Sequence, residues 1–333
     1  MNWLDPSARR PFAILAAGVL LAIVLVPAVG TSFAVTFGFQ FLIWTCLALS
    51  WAVFSGNTGY ASFGHGVFFG IGTYITAAVL RETNFSFVVA MLVAGLVAGA
   101  LALVVGLAVF SSPRFAGDLF GLVTLAMAFI VMTAVSNISF LDGGTGVFVR
   151  EHTTGTWIGS STNHLFIVAG LLVALCGAVS IAASTTRWGA ALRAIRDDEA
   201  VAESLGVPTY RYKVLTFVVS GALAGLAGAP QAVYLGYVEV GGVFALNIPL
   251  FVIMMVILGG ITRWWGPIIG AAVVVALREA LLGIGSAELA QVIVGLSLVA
   301  VIAVMPHGVS GFVSRFTTKR AIPTDRTVRG GAS

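Results

Sequence analysis

The chain has 333 residues, 59% of them hydrophobic and only 9% charged, whereas a soluble domain carries about 25% charged residues. A mean hydropathy of +1.05 excludes a water-facing globular surface and makes lipid the natural solvent. The formal net charge of +4 does not point to nucleic acid, because the basic residues are spread over short loops and tails, where they read as orientation signals.

A helix needs about 20 apolar residues to cross a bilayer. Ten runs are candidates: 12–29, 33–54, 64–80, 87–110, 118–137, 164–183, 213–233, 247–260, 266–283 and 287–305. The expected fold is therefore an all-α integral membrane protein of about ten transmembrane helices, with broken or re-entrant glycine-rich segments. The first run is long for a signal-peptide core and is followed by further spans, so it is expected to remain as a helix. The run 64–80 opens on a glycine-rich segment and is expected to enter the membrane partly unwound; 247–260 is short and reads as broken or re-entrant. The 40 glycines suit close helix packing, since lipid supplies no hydrophobic drive for helix association. Cys46 and Cys176 lie inside apolar runs and read as small buried hydrophobes, with no metal-ligand spacing.

Charge then sets orientation. With residues 1–11 cytoplasmic, ten crossings put Arg114, the loop 184–212, Lys213, Arg263 and the basic tail 306–333 inside, and of the 17 Lys and Arg only Arg81, Arg150 and Arg278 fall outside. The membrane region is 12–305, with an outer loop at 138–163. The last residues of the tail are expected to be disordered.

The inner loop contains Arg196-Asp197-Asp198-Glu199-Ala200-Val201-Ala202-Glu203-Ser204-Leu205-Gly206-Val207-Pro208. Asp197 or Asp198 is a good N-cap, Glu199 suits the positive first turn, Gly206 is a good C′ residue and Pro208 blocks continuation. The pattern predicts a helix of about two turns outside the membrane. Glu199 and Glu203 share a face, and Val201 and Leu205 form an apolar stripe. Spacing alone fits either a docking peg or a surface helix with solvated charges.

From Arg193 to Gly228 the chain resembles the cytoplasmic signature of the branched-chain amino acid ABC transporter permease family, LivM type. Glu199-Ala200 followed by Gly206 is similar to the EAA motif of ABC importer permeases, and Tyr210-Arg211-Tyr212-Lys213 leads straight into the next span, as in the family. The resemblance implies that this loop supplies a coupling helix seated in a groove of an ATP-hydrolysing subunit, with Arg196, Asp197, Asp198, Glu199, Ala200, Val201, Glu203, Leu205 and Gly206 making that contact.

The segment Gly59-Tyr60-Ala61-Ser62-Phe63-Gly64-His65-Gly66 and its continuation to Gly72 resemble the family's glycine-rich motif after the second span. Non-helical chain at membrane depth must be buried in protein or face water, so Gly59, Tyr60, Ser62, Phe63, Gly64, His65 and Gly66 are candidates to line the translocation pathway; the alternative is tight helix packing. His65 is a functional candidate by default, though a hydrogen-bonded packing role is preferred. Gly143 and Gly144, after Leu141-Asp142, resemble an outer-side glycine pair, and Asp142 either caps a turn or meets a cationic group. Gly259 and Gly260, followed by Trp265-Gly266-Pro267, resemble a late Gly-Gly…Gly-Pro motif, with Pro267 suited to a first helical position. The resemblance runs from about residue 33 to 305.

No Gly-x-x-x-x-Gly-Lys-Ser/Thr occurs, so ATP and Mg are expected on partner ATPase subunits and no cofactor on this chain. The resemblance further implies a second homologous permease, one or two types of ATPase, an extracytoplasmic substrate-binding protein and a bacterial inner membrane with both termini cytoplasmic. The substrate class is branched-chain amino acids, or alternatively urea, short amides or other small organic acids. An ion-coupled secondary transporter would place carboxylates or histidines at mid-membrane, whereas Asp118, Arg278, Glu279 and Glu288 fall near predicted span ends. No carboxylate pair, metal cluster or nucleophile motif supports an enzyme; Ser62 and His65 have nothing to orient them.

Overall fold

The computed structural model describes residues 6–112, 117–138, 143–149, 162–261 and 263–282, together with 292, 295 and 296. Nine of the ten runs are helical: α1 (Pro6–Val29), α2 (Ser32–Trp51), α3 (His65–Glu82), α4 (Phe87–Phe110), α5 (Asp118–Asn137), α6 (Thr162–Thr185), α9 (Thr209–Leu235), α11 (Asn247–Gly259) and α12 (Gly266–Leu282). The run 287–305, apart from residues 292, 295 and 296, lies outside the described residues, as do Arg114, Leu141, Asp142 and the tail. By length and composition seven helices can cross a membrane, among them Ser32–Gly56, Thr209–Leu235 and Val240–Gly259. α3, which ends in Arg81-Glu82, and α12, with 17 residues, are not among the seven.

Three features were not expected. α2 runs on as a π turn, Ala52–Gly56. A further helix, α7 (Arg187–Asp197), precedes the short α8 (Glu199–Ser204). The helical fold also contains a two-residue antiparallel ribbon, β1 (Val147–Phe148) on β2 (Tyr237–Val238), in register Val147↔Val238. The short run 247–260 is one continuous helix, α11 (Asn247–Gly259), and the break lies before it, after the separate four-residue helix α10 (Val240–Val243).

The core is a seam of small residues. On α4, Ala90, Ala94, Ala98 and Ala102 recur every four residues and are fully buried, while Leu96 and Val104 on the reverse face are 73% and 66% exposed. Facing that stripe on α9, a Cβ built on Gly225 would lie 2.4 Å from Ala98 Cβ, and one on Gly221 2.7 Å from Ala102 Cβ. On the other side of α9, a Cβ on Gly72 of α3 would sit 2.1 Å from the Gly225 carbonyl oxygen. Helices in lipid gain stability by such close approach rather than by escape from water, so α3, α4 and α9 pack backbone on backbone. α1 leans on α6, with Leu15 and Ile23 over Gly177 and Gly170, and otherwise shows its apolar face outward.

α7 and α8 lie where α2 ends and α9 begins, because Arg196 Nη1 donates to the Gly56 carbonyl at 3.2 Å. The turn between α11 and α12 lies at this end too, with Ile261 against Gly56. The β ribbon follows the far end of α9. The protein thus has an α8 end and a ribbon end, separated by the 27 residues of α9, about 40 Å of helix.

Candidate functional site

The α8 end is built from local capping outward. Asp198 is extended (φ −161, ψ 111), and its Oδ1 accepts from the Val201 amide at 3.0 Å, satisfying one of the free first-turn donors. At the other end the Gly206 amide donates to the Glu203 carbonyl at 2.9 Å, the Val207 amide donates to the Ala202 carbonyl at 3.1 Å, and Gly206 has φ +85. That pair of bonds is the Schellman closure a C′ glycine permits. Ala202 is buried beneath the helix, whereas Val201 and Leu205 are 53% and 76% exposed. Asp197, Asp198, Ala200 and Glu203 are also exposed.

Glu199 departs from the solvated acidic face that the spacing suggests. Its carboxylate accepts from the Tyr60 hydroxyl at 2.5 Å and from Lys213 Nζ, the two carboxylate oxygens taking one donor each. Lys213, on the first turns of α9, is 7% exposed and lies 5.2 Å and 5.3 Å from the ring centres of Tyr60 and Phe110. A buried ammonium needs such a counter-charge, and the ring faces add attraction. Burial first, and then the neighbouring Glu199 carboxylate, push the Tyr60 phenol above its ordinary range, so it stays a donor. Tyr60 therefore ties the non-helical segment after α2 to α8, while Arg196 ties the π turn at the end of α2 to α7.

The remaining candidates from the glycine-rich segment are packed. His65 opens α3, is 2% exposed and lies 2.8 Å from Ser50 Oγ through Nε2. Ser50 Oγ donates to the Leu47 carbonyl at 2.9 Å. Trp51 Nε1 donates to the Ser62 carbonyl at 2.8 Å, and the Phe63 amide to Thr124 Oγ1 at 3.1 Å. Gly59 (φ +79) lies against the Arg196 side chain, Gly64 against Thr124 and Gly66 against Pro249. Gly259 meets Gly266 and Gly270 where α11 crosses α12, and Gly260 (φ +102) makes the turn. Gly143 and Gly144 (φ +58 and +87) lie apart from all of these, leading into β1 at the ribbon end.

Among the described residues a cavity lies elsewhere. A space of about 650 Å³ opens between α2, α9, α11 and α12 toward the ribbon end, lined by Gln40, Trp44, Gln231, Glu239, Phe251, Arg278 and Glu279 among others. None of the candidate pathway residues lines it. Arg278 and Glu279 sit near the end of α12, as the sequence places them. The Arg278 guanidinium carbon nevertheless stands 5.9 Å from the ring centre of Trp44, the middle residue of the span Ser32–Gly56. A charge inside an apolar run was the available signal, but span position alone does not show how far a long side chain reaches inward. Among the described residues no three His, Cys, Asp or Glu side chains could hold a metal ion; Cys46 and Cys176 are buried and free.

A family model described as "Branched-chain amino acid transport system / permease component" matches residues 33–302. The high-affinity branched-chain amino acid transport system permease protein LivM of Escherichia coli is 30% identical over 263 residues, 72% of this chain and 61% of that protein. The corresponding LivM of Salmonella typhimurium matches to the same extent. The permease protein LivH of Escherichia coli is 27% identical over 286 residues, 80% of this chain and 90% of that protein. The match thus spans about 61% of the length of the LivM relatives. No solved structure matches the chain.

Proposed function

Since the chain belongs to the family of branched-chain amino acid transport permease components, we propose that it is one membrane-spanning subunit of an ATP-driven importer of branched-chain amino acids. The proposed assembly contains a second homologous permease, ATPase subunits that carry ATP and Mg and hydrolyse the nucleotide, and an extracytoplasmic binding protein that delivers cargo at the ribbon end. The α8 end then faces the cytoplasm of a bacterial cell, across its inner membrane. The similarity to both LivM and LivH proteins supports a pair of related permeases.

One observation carries the reading. α8 is capped at both ends, anchored to the spans through Glu199 and Arg196, and presents Val201 and Leu205 outward, both exposed. A rigid two-turn helix with an uncovered apolar stripe is suited to transmit motion between an ATPase groove and the spans. The contact surface comprises Arg196, Asp197, Asp198, Glu199, Ala200, Val201, Glu203, Leu205 and Gly206, and the segment Gly59–Gly66, bonded to α8 through Tyr60, is the first part of the membrane region to receive that motion.

The whole assembly in proteoliposomes tests this. Leucine uptake should require ATP on the α8 side and should persist when proton and sodium gradients are collapsed. A thiol reagent confined to the ATP compartment should label Ser204→Cys and miss Phe148→Cys. Uptake driven by an imposed ion gradient in the absence of the ATPases refutes the importer reading, and labelling of both cysteines from one side refutes its orientation.

A further inference from the structure

The cavity at the ribbon end carries chemistry that the α8 end does not explain. We infer that it is a binding site for the zwitterion of an α-amino acid, with Arg278 taking the carboxylate and Glu239 and Gln231 the ammonium. The inference rests on the proposed function and adds to it the residues that hold the cargo.

The cavity brings opposite charges to one space without joining them. Arg278 comes from α12 and Glu239 from the link between β2 and α10, yet among the described residues neither side chain has an ion-pair or hydrogen-bond partner. Glu239 sits at the N-cap position of α10 but makes no side-chain capping bond, so its carboxylate is unspent. Gln231 Oε1, on α9, is buried and accepts no hydrogen bond from any described residue. Arg278 and Glu239 are exposed, whereas Gln231 Oε1 is shut away from water, and such groups ordinarily find partners; ionisable groups on membrane helices commonly face a functional cavity. Glu279, exposed and next to Arg278 in sequence, also lines the space; a bound zwitterion pairs with Arg278 and Glu239 at once. A guanidinium matches a carboxylate in a planar fork, and an ammonium has three donors for acceptors such as Glu239 and Gln231.

The walls suit the rest of such a molecule. Trp44 and Phe251, 6.0 Å apart and edge to face, line the cavity and continue into a small apolar recess with Met255, Val274 and Val275. The volume of about 650 Å³ falls in the ordinary range for small-molecule sites, about 300–1,000 Å³. Urea or a short amide carries no charge for Arg278 or Glu239 to pair with, and a simple organic acid carries none for Glu239. The cavity therefore favours an amino acid over those alternatives.

Gly242 lines the cavity beside Glu239, and a Cβ there meets Glu239 only at ordinary contact distances of 3.5 and 3.6 Å, so Gly242→Cys is a sound reporter. In the intact assembly without ATP, L-leucine should slow thiol labelling of Gly242→Cys at least about tenfold, a difference one lost charge-assisted contact can produce, while urea should not. Arg278→Gln should abolish that protection, and Arg278→Lys should retain part of it. With ATP, Arg278→Gln should cut leucine uptake at least about tenfold while ATP hydrolysis stimulated by leucine-loaded binding protein stays within about twofold. Absence of protection in the unmodified Arg278 background overturns the site even if uptake is normal, as does uptake by Arg278→Gln close to that of the parent. If Arg278→Gln fails to assemble, the Gly242→Cys result alone decides. Protection without ATP-driven uptake leaves the site standing and refutes the importer instead.

Discussion

At the residue scale, the ion pair of Glu199 and Lys213 decides how the α8 end responds to substitution. Read as an exposed charge, Glu199 would be worth about 0–1 kcal/mol. In the structure it is the counter-charge of a lysine that is 8% exposed in its side chain, while its own side chain is 29% exposed. Removing one partner of a fully buried pair costs about 3–5 kcal/mol; the partial exposure here puts Glu199→Gln between those limits, at about 2 kcal/mol. Replacing both charges should be far gentler, because no unpaired ammonium is left in the aromatic cage. Thermal unfolding of the purified protein should therefore show Glu199→Gln clearly destabilised and Glu199→Gln with Lys213→Met mostly recovered. Equal stability of Glu199→Gln and the parent would mean that water, not Glu199, solvates Lys213. The caps Asp198 and Gly206 were legible because capping is set by neighbours in sequence. The partners of Glu199 were not, since Tyr60 is 139 residues away and no local rule joins them.

At the scale of elements, α8 was predicted and α7 was not. α8 announces itself by an acidic cap and a glycine stop. α7 buries only Gly189, Leu192 and Ile195, an apolar set too sparse to stand out beside its arginines. The test of α8 as a docking element follows from its exposed stripe. Leu205 is 76% exposed, so Leu205→Asp should leave the spans folded and the protein at near-normal membrane levels. If the stripe docks in an ATPase groove, the same change forfeits about 1.5–3 kcal/mol of apolar burial and should abolish stimulation of ATP hydrolysis by loaded binding protein. Gly206→Val should act in the same direction, because a left-handed C′ position costs a side-chain-bearing residue about 1–2 kcal/mol and breaks the closure of the helix. Normal assembly and transport by Leu205→Asp would move the docking contact away from α8.

At the scale of the whole molecule, composition and run length were enough for a helical membrane protein, because the bilayer imposes both. What the runs could not show is where space remains between helices. Gly64, Gly66 and Gly259 lie where elements touch, whereas the cavity near Arg278 is lined by residues of α2, α3, α9, α10, α11 and α12 and of the β2 segment. Glycine marks contact and opening alike in a sequence, and only the packing tells them apart.

The small-residue seam of α3, α4 and α9 has a thermal consequence. Parting it within the bilayer would exchange protein methyl groups for acyl chains, with no water gained or lost. The heat-capacity change that accompanies hydrophobic burial in water is therefore absent from that seam, and its strength should vary little with temperature. The stripe on α8 leaves water when it docks, and a contact of that kind weakens on cooling. Chilling should thus loosen the ATPases from the permease while the spans stay packed. In bilayers that remain fluid, the fraction of ATPase retained on the assembly should fall in the cold while protease resistance of the membrane region holds. If the two decline together, or if ATPase retention rises, the contact at α8 is polar rather than apolar and Leu205 is not its centre.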